Sequence, residues 1–154
     1  MIQKKINIKN KRARFDYELL DTLTAGIVLS GTEIKSIRLG KASISESFCE
    51  FNDADELFVI NMQVDEYSHG NLFNHKPKAA RKLLLNRREL KKWRREVRNT
   101  GLTIIALNLF LNEKGLAKLN IALAKGKKLY DKRETIKDRD NKKSLDRIKK
   151  NFNS

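Results

Sequence analysis

The chain has very few of the residues from which disulfide frameworks, rigid turns and metal centres are built. Cys49 is the only cysteine, which excludes an intramolecular disulfide. His69 and His75 are the only histidines, and their spacing to each other and to Cys49 is not that of zinc ligands. Pro77, the only proline, lies in the longest predicted loop, residues 69–78. We therefore predict no metal site and no cofactor.

Long apolar segments are also absent. No run of apolar residues has the length that a membrane-spanning helix requires. Residues 1–9 carry charge but lack the apolar h-region of a secretory signal. With a single cysteine, these features predict a protein of the reducing cytoplasm.

No combination of residues typical of a catalytic site is found. Neither histidine belongs to a Ser or Cys constellation that would make it a catalytic base. Gly126-Lys127 lacks the upstream glycine and the following Ser or Thr of a phosphate-binding P-loop. Three carboxylates fall within residues 52–56, where Asp and Asn are favoured in a solvated turn. The sequence favours a binding protein, and a nuclease-like enzyme that uses these loop carboxylates is the alternative.

Acidic residues are scarce relative to basic ones. The 154 residues include 34 Lys and Arg against 19 Asp and Glu, which gives a formal net charge of +15. The isoelectric point is about 10.0. This charge predicts an anionic partner, either nucleic acid or an anionic membrane. No segment pairs a bulky apolar face with a continuous basic one, so nucleic acid is favoured and no membrane partner is predicted.

The clearest structural pattern is a long hairpin within residues 102–134. Period-two alternation runs through both arms and predicts two strands that each have one face on a core. The predicted core-facing residues are Ile105, Leu107, Leu109, Leu111, Leu119, Ile121 and Leu123. Residues 112–115 form the loop, in which Gly115 can supply a positive φ. The second arm ends in a cluster of cations at residues 125–128.

Further short strands are predicted in the first half of the chain. Residues 15–20 and 25–29 have strand patterns, and Gly26 indicates a bulge or bend in the second. Residues 43–51 and 57–64 predict a hairpin around the acidic turn.

Two helices are predicted. The first covers residues 33–39, with Thr32 as its N-cap and Gly40 just beyond its C-terminus. The second begins after Asn86, with Glu89 completing a capping box, and ends at Gly101. Its predicted core-facing stripe is Leu90, Trp93 and Val97. Its other positions are mostly basic: Arg87, Arg88, Lys91, Lys92, Arg94, Arg95 and Arg98. The sequence does not decide whether these residues face RNA, the ribosome or solvent.

Many short antiparallel strands with few helices predict an α+β, mainly β fold. We expect residues 1–130 to form a small antiparallel OB-like β-barrel with short peripheral helices. Residues 131–154 have nine basic and five acidic residues and too few apolar ones for a core. They predict a flexible basic C-terminal tail that is disordered alone and becomes helical on its partner.

Several motifs occur together and in order. They are Asn-Lys-Arg-Ala at 10–13, Gly-Thr-Glu-Ile-Lys-Ser-Ile-Arg at 31–38, Gly-Lys-Ala at 40–42, Arg-Lys-Leu-Leu-Leu-Asn at 81–86, and Ala-Lys-Gly-Lys-Lys at 124–128 followed by Asp-Lys-Arg at 131–133. From residue 10 to residue 151 the chain resembles the bacterial tmRNA-binding SmpB family, also called SsrA-binding proteins. The resemblance implies a monomeric, non-catalytic adaptor of trans-translation. It would bind the tRNA-like domain of tmRNA and the ribosome, alongside elongation factor Tu and alanyl-tmRNA.

The resemblance and the charge pattern together select the candidate site residues. By position, the resemblance links Asn10, Leu84 and Lys118 to tmRNA binding. The full predicted RNA-binding set is Asn10, Lys11, Arg12, Glu33, Lys35, Arg38, Lys41, Leu84, Lys118, Lys125, Lys127 and Lys128. The predicted tail residues, which would contact small-subunit ribosomal RNA near the decoding centre, are Tyr130, Asp131, Lys132, Arg133, Lys137, Arg139, Ile148 and Lys149.

Three of these positions need comment. Glu33 has two interpretations: a helix-start residue that holds its neighbours in place, or an acceptor for an RNA amino group or 2′-hydroxyl. Thr24 stands where many family members have an acidic residue, so that contact is absent or remade here. Tyr130 stands where some members have histidine, and either ring can stack on a base.

Overall fold

The computed structural model describes residues 6–70 and 74–127, which contain nine strands and three helices. The strands are β1 (Asn7–Lys9), β2 (Tyr17–Ile27), β3 (Ala42–Ser43), β4 (Phe48–Phe51), β5 (Leu57–Ile60), β6 (Gln63–Val64), β7 (Arg81–Leu84), β8 (Thr103–Leu111) and β9 (Ala117–Gly126). The helices are α1 (Ala13–Asp16), α2 (Gly31–Arg38) and α3 (Arg87–Thr100).

Six antiparallel strands close into a ring. The order is β8-β4-β5-β7-β2-β9, and β9 pairs again with β8. On its other side, β8 pairs with β4 through Ile104 and Ile105, and with β1 through residues 108–110. The ring confirms the predicted mainly β barrel with peripheral helices.

The predicted strands at 15–20 and 25–29 are one strand, β2, preceded by the short helix α1. Phe15 and Asp16 belong to α1, so the strand prediction was wrong for these two residues. The β2 register shifts between Leu19 and Asp21, whereas Gly26 pairs regularly with both neighbouring strands. The prediction of a bulge at Gly26 was therefore wrong.

The long hairpin is confirmed, but its first arm does not keep one face on the core. A register shift between Ala106 and Asn108 makes Leu107 the extra residue of a bulge, and the alternation changes phase there. Ile104, Ala106 and Leu109 pack in the main core inside the barrel. Ile105 and Leu107 lie instead in a second cluster with Ala13 of α1 and with Ala122 and Ala124 of β9. Ile105 and Leu107 are therefore packed in a different cluster from Leu109, because a bulge reverses the faces of a strand.

The predicted hairpin is confirmed for β4 and β5, but its arms are not continuous: their outer ends form the separate strands β3 and β6, which pair with each other. The turn between β4 and β5 is organised by Asn52. The Asn52 Oδ1 atom accepts hydrogen bonds from the Ala54 and Glu56 backbone N–H groups, at 3.0 and 2.9 Å. Asp55 takes a φ of 60°, which Asp tolerates better than most residues. Within residues 6–70 and 74–127, no three His, Cys, Asp or Glu side chains cluster in a way that could hold a metal ion.

Both long helices have capping boxes, and one differs from the prediction. Ser30, not Thr32, caps α2, in a reciprocal box with Glu33. The Thr32 hydroxyl instead lies 2.9 Å from Nδ1 of His75. Asn86 and Glu89 form the predicted box on α3.

Both glycines predicted to lie beyond the helix C-termini have the left-handed backbone that favours glycine: φ is +75° at Gly40 and +66° at Gly101. The predicted stripe of α3 faces the core, where Trp93 is 1% exposed.

The two helices lie at opposite ends of the barrel. Arg38 of α2 approaches Gly115 in the turn that follows β8. Arg94 of α3 forms an ion pair with Asp55 in the turn that follows β4. Because β4 and β8 are antiparallel neighbours, the turns after them lie at opposite ends. No helix in the described part of the chain is long and apolar enough to cross a membrane.

Candidate RNA interface

A broad groove lies on the outer side of the barrel, across β1, β8, β9 and β2. We call it the side groove; its volume is about 860 Å³. Its lining residues are Asn7, Lys9, Asn10, Lys11, Ala13, Arg14, Thr22, Leu23, Thr24, Leu107, Asn108 and Asn120. Polar and basic side chains predominate, so the groove suits a hydrated, anionic ligand rather than an apolar one.

The floor of the side groove is a ladder of hydrogen-bonded side chains that crosses four strands. Asn108 donates to Oδ1 of Asn7 at 3.1 Å, and Asn120 donates to Oδ1 of Asn108 at 2.9 Å. The Thr24 hydroxyl donates to Oδ1 of Asn120 at 2.6 Å. The bulge at Leu107 brings Asn108 opposite Asn120 on the outer face. The ladder fixes the amide orientations, so the groove presents a preorganised polar surface.

Asn10 contributes an unused acceptor. Its Nδ2 donates to the Ala106 carbonyl at 3.0 Å, and its backbone N–H donates to the Leu107 carbonyl at 2.8 Å. Its Oδ1 is buried and has no hydrogen-bond partner among residues 6–70 and 74–127. A buried acceptor without a partner costs roughly 1–3 kcal/mol.

Cations lie in the same groove as Asn10 and next to it in the chain. Lys9, Lys11 and Arg14 line the groove. Arg12 lies 3.5 Å from Asp16 and stacks over Phe15, with its guanidinium carbon 5.1 Å from the ring centre. The predicted residues Asn10 and Lys11 therefore share one groove, with Arg12 next to them in the chain.

Lys118 and Leu84 lie together beyond the ladder. They flank Gly26, which is paired with Leu84 on β7 and with Lys118 on β9. A Cβ atom at Gly26 would lie 3.4 Å from Cβ of Leu84 and 3.7 Å from Nζ of Lys118. Leu84 is 53% exposed. The glycine leaves a shallow gap between an exposed apolar side chain and a cation.

Lys125 and Lys127 lie at the far end of β9. Lys125 is opposite Glu18, and the Lys127 ammonium donates to the Arg14 carbonyl at 3.2 Å. Seven residues of strand separate Lys118 from Lys125, which is about 23 Å. Lys118 and Lys125 are therefore cations near the two ends of β9.

The four predicted residues of the α2 region do not line the side groove. Lys35 places its ammonium 5.5 Å from the Tyr67 ring centre, and Arg38 approaches the turn at Gly115. Lys41 follows the helix, and its carbonyl accepts from the Asp65 N–H. Glu33 is 7% exposed and forms an ion pair with buried Arg81.

The Glu33 contacts favour the structural interpretation of that residue. The Ser30 N–H donates to Oε1 at 2.8 Å, and the Arg81 Nε–H donates to Oε2. Arg81 also donates to the Met62 carbonyl at 2.6 Å and the Pro77 carbonyl at 3.1 Å. Burial raises the pKa of Glu33, but the hydrogen bonds from Ser30 and Arg81 and the Arg81 charge outweigh it, so the pKa is lowered.

The remaining predicted residues lie outside the described part of the chain. They are Lys128, Tyr130, Asp131, Lys132, Arg133, Lys137, Arg139, Ile148 and Lys149.

The ladder asparagines were not predicted from the sequence. Asn108 and Asn120 are polar residues on the faces of the two hairpin arms that were predicted to lie away from the core, and this polarity was the available signal. Their pairing depends on the bulge, which the alternation alone does not locate. Asn7 lies in β1, a strand that was not predicted from the sequence.

Comparisons with known proteins support the fold and identify the family. The family model for SmpB protein matches residues 7–151. The SsrA-binding protein of Flavobacterium psychrophilum is 69% identical over 149 residues, 97% of this chain and 99% of that protein. The SsrA-binding protein of Christiangramia forsetii is 69% identical over 147 residues, which are 96% of this chain and 93% of that protein. A solved structure of tmRNA-SmpB in the bacterial ribosome covers 80% of this chain and 86% of that one, with 44% identity and a TM-score of 0.67.

Proposed function

The chain belongs to the SmpB protein family, and on this premise we propose that it is the RNA-binding adaptor of trans-translation. It binds the tRNA-like domain of tmRNA, with elongation factor Tu and alanyl-tmRNA in the same complex, and delivers it to stalled ribosomes in the cytoplasm. The nascent peptide is then tagged and the ribosome released. This role requires binding and positioning of RNA and no catalysis by the chain.

The observation that carries the proposal is the ladder of polar side chains in a groove lined by cations. Non-helical RNA exposes base edges and 2′-hydroxyls, both of which can hydrogen-bond with these side chains. Lys9, Lys11 and Arg14 neutralise the phosphates on either side. We propose that the side groove holds a non-helical segment of the tRNA-like domain.

Leu84 and Lys118 extend this contact. An exposed leucine beside a cation can pack against a base or sugar while the ammonium binds the adjacent phosphate. The small residue between them, Gly26, lets the RNA approach the backbone. Lys125, Lys127 and Lys128 continue the phosphate contacts along β9.

The salt dependence of binding tests the electrostatic part. If about six phosphates are neutralised, affinity for the tRNA-like domain falls roughly a thousandfold between 50 and 200 mM salt. Calorimetric or filter-binding titrations measure this slope. A flat dependence would contradict the assignment of these cations to phosphates.

A paired variant tests the location. Lys118→Gln with Leu84→Ala should weaken tRNA-like-domain binding about tenfold or more, because a phosphate contact and an apolar contact are lost. The control is Lys114→Gln with Leu116→Ala, which removes an exposed lysine and a leucine that is 55% exposed on the hairpin turn. Equal effects of the two double variants would place the RNA elsewhere.

The basic segment 131–154 is proposed to act at the ribosome, after tmRNA is bound. Truncation after Tyr130 should nearly retain tmRNA binding and abolish tagging on stalled ribosomes. Equal loss of both activities would make the segment another tmRNA-binding arm. Full tagging activity would leave it without a role.

The nuclease alternative has a separate test. Structured RNA is incubated with the protein with and without magnesium, and cleavage products are sought. Magnesium-dependent cleavage that is lost in an Asp53→Asn, Asp55→Asn double variant would replace the adaptor proposal with an enzymatic one.

A further inference from the structure

A second groove lies at the end of the barrel closed by α3, and it shares no residue with the side groove. It runs between α3 and the turn that joins β4 to β5, and its volume is about 620 Å³. Its lining residues are Ala54, Asp55, Glu56, Arg87, Leu90, Lys91, Arg94, Arg95, Arg98 and Asn99. We call it the α3 groove.

Four cations form a row along this groove. Arg87, Lys91, Arg95 and Arg98 follow one another at intervals of four, four and three residues, which places them on one helix face. All four are exposed. None of them forms an ion pair with any residue that the structure describes. The row extends about 16 Å, given 1.5 Å per residue.

The acidic residues of the α3 groove do not neutralise this row, because other cations already pair with them. Arg94 lies 3.1 Å from Asp55 and stacks over Phe51 at 5.3 Å from the ring centre. Lys82 forms an ion pair with Glu56 and is the main cause of the lowered pKa of that carboxyl. The groove therefore keeps the uncompensated charge of the four-residue row.

The lining favours a phosphate backbone over a protein partner. Ala54 and Leu90 are its only apolar residues, and it has no aromatic side chain. Protein interfaces concentrate their binding energy in aromatic and apolar anchors at a desolvated centre. Three of the four cations are arginines, whose planar guanidinium groups match phosphate oxygens in pairs.

We propose that the α3 groove binds the sugar–phosphate backbone of a double-helical RNA segment while the side groove holds another RNA. Without an aromatic platform for base stacking, the contact is with backbone and independent of base sequence. Two grooves with no shared residue let the protein bridge two RNA surfaces at once. Duplex binding by the α3 groove depends only on the residues of that groove, whereas the bridging of two RNAs also rests on the proposed function.

The test uses the full chain and a labelled 16-base-pair RNA duplex, with and without saturating tRNA-like domain. The variant replaces Arg87, Lys91, Arg95 and Arg98 by glutamine, which has a similar helix propensity. The control replaces four exposed cations outside the groove, Lys76, Lys78, Arg88 and Lys114, by glutamine. Both proteins lose four charges and retain the basic segment 131–154, so their difference isolates the α3 groove.

Four phosphate contacts give about a hundredfold loss of affinity between 50 and 200 mM salt. Duplex affinity is compared in the presence of saturating tRNA-like domain. We expect the control to keep this salt-dependent part of duplex affinity and the groove variant to lose it. Equal duplex affinity and equal salt slopes in variant and control would overturn the proposal. So would a poly-glutamate peptide that binds wild type more tightly than the duplex and loses binding in the groove variant, since the partner would then be an acidic protein segment.

Affinity for the tRNA-like domain alone is measured in the same three proteins. The groove variant should match the control there. Failure of wild type to bind the tRNA-like domain would contradict the proposed function and leave the duplex comparison valid. Thermal unfolding shows that both glutamine variants are folded.

Discussion

Replacing Glu33 by glutamine should destabilise the barrel while changing tmRNA binding little. The carboxylate accepts from the Ser30 N–H and from Arg81, and Arg81 in turn holds the Met62 and Pro77 carbonyls. Glutamine keeps the shape but has one acceptor oxygen in place of two. Arg81, which is 3% exposed, would keep its charge without a counter-ion.

The magnitude follows from the cost of an unpaired buried charge. Removing one partner of a buried ion pair costs about 3–5 kcal/mol. Because glutamine keeps the shape and one acceptor, we expect Glu33→Gln to cost the lower value, about 3 kcal/mol. For a domain of this size, each kcal/mol shifts Tm by about 2–4 °C. The expected decrease in Tm is therefore about 6–12 °C at neutral pH.

The pH dependence gives an independent signature. The folded-state pKa of Glu33 is lowered from its ordinary value of 4.5. The stabilisation is therefore fully present above about pH 4.5 and is lost as the pH falls through the folded-state pKa. The difference in Tm between wild type and Glu33→Gln should shrink below pH 4.5.

Thermal unfolding by circular dichroism at pH 7 and at pH 3.5 measures the decrease in Tm and its pH dependence. A tmRNA titration well below Tm measures the affinity for tmRNA. Glu113→Gln, at an exposed turn position, is the matched control. A Tm equal to that of the control would refute the structural role. An unchanged Tm with weaker tmRNA binding would assign Glu33 to the RNA contact, and no change in either quantity would exclude both roles.

Two other changes follow from buried groups. Trp93→Phe loses the 3.0 Å hydrogen bond from the indole to Asp21 and some core volume, so it should cost about 1–3 kcal/mol by denaturant unfolding. That hydrogen bond is the main cause of the lowered pKa of Asp21, so NMR titration of the variant should show this pKa rising toward its ordinary value. Cys49 is fully enclosed and burial raises the pKa of its thiol, so Ellman's reagent should react only at the rate of unfolding. Rapid labelling of native protein would contradict this burial.

The sequence predicted the elements whose signals are local. Asn86 and Glu89 marked the start of α3, and Gly101 marked its end, because capping chemistry involves residues a few positions apart. The α2 cap was assigned two residues late because both Ser30 and Thr32 can cap a helix. The contact that decides between them, Thr32 with His75, joins residues 43 positions apart.

Features that depend on pairing between distant strands were not predictable in the same way. The phase change at Leu107 exists because Asn108 pairs with Asn120, and nothing in the β8 alternation locates it. The burial of Arg81 depends on Glu33, on another element. The resemblance selected Asn10, Leu84 and Lys118 by position, and their places on the outer side of the barrel come from the ring of strands.

The side groove is built from residues that are far apart in the sequence, so it can form only late in synthesis. Its hydrogen bonds from Asn10 to Ala106 and from Thr24 to Asn120 each span 96 residues, and that from Asn108 to Asn7 spans 101. At about 5–20 residues per second, β9 follows Thr24 by about 5–20 s. A copy that ends before β8, as a broken message would produce, lacks Ala106, Asn108 and Asn120 and so has no groove. Incomplete copies of the protein would therefore lack the proposed RNA-binding groove and would not compete with complete copies for RNA there.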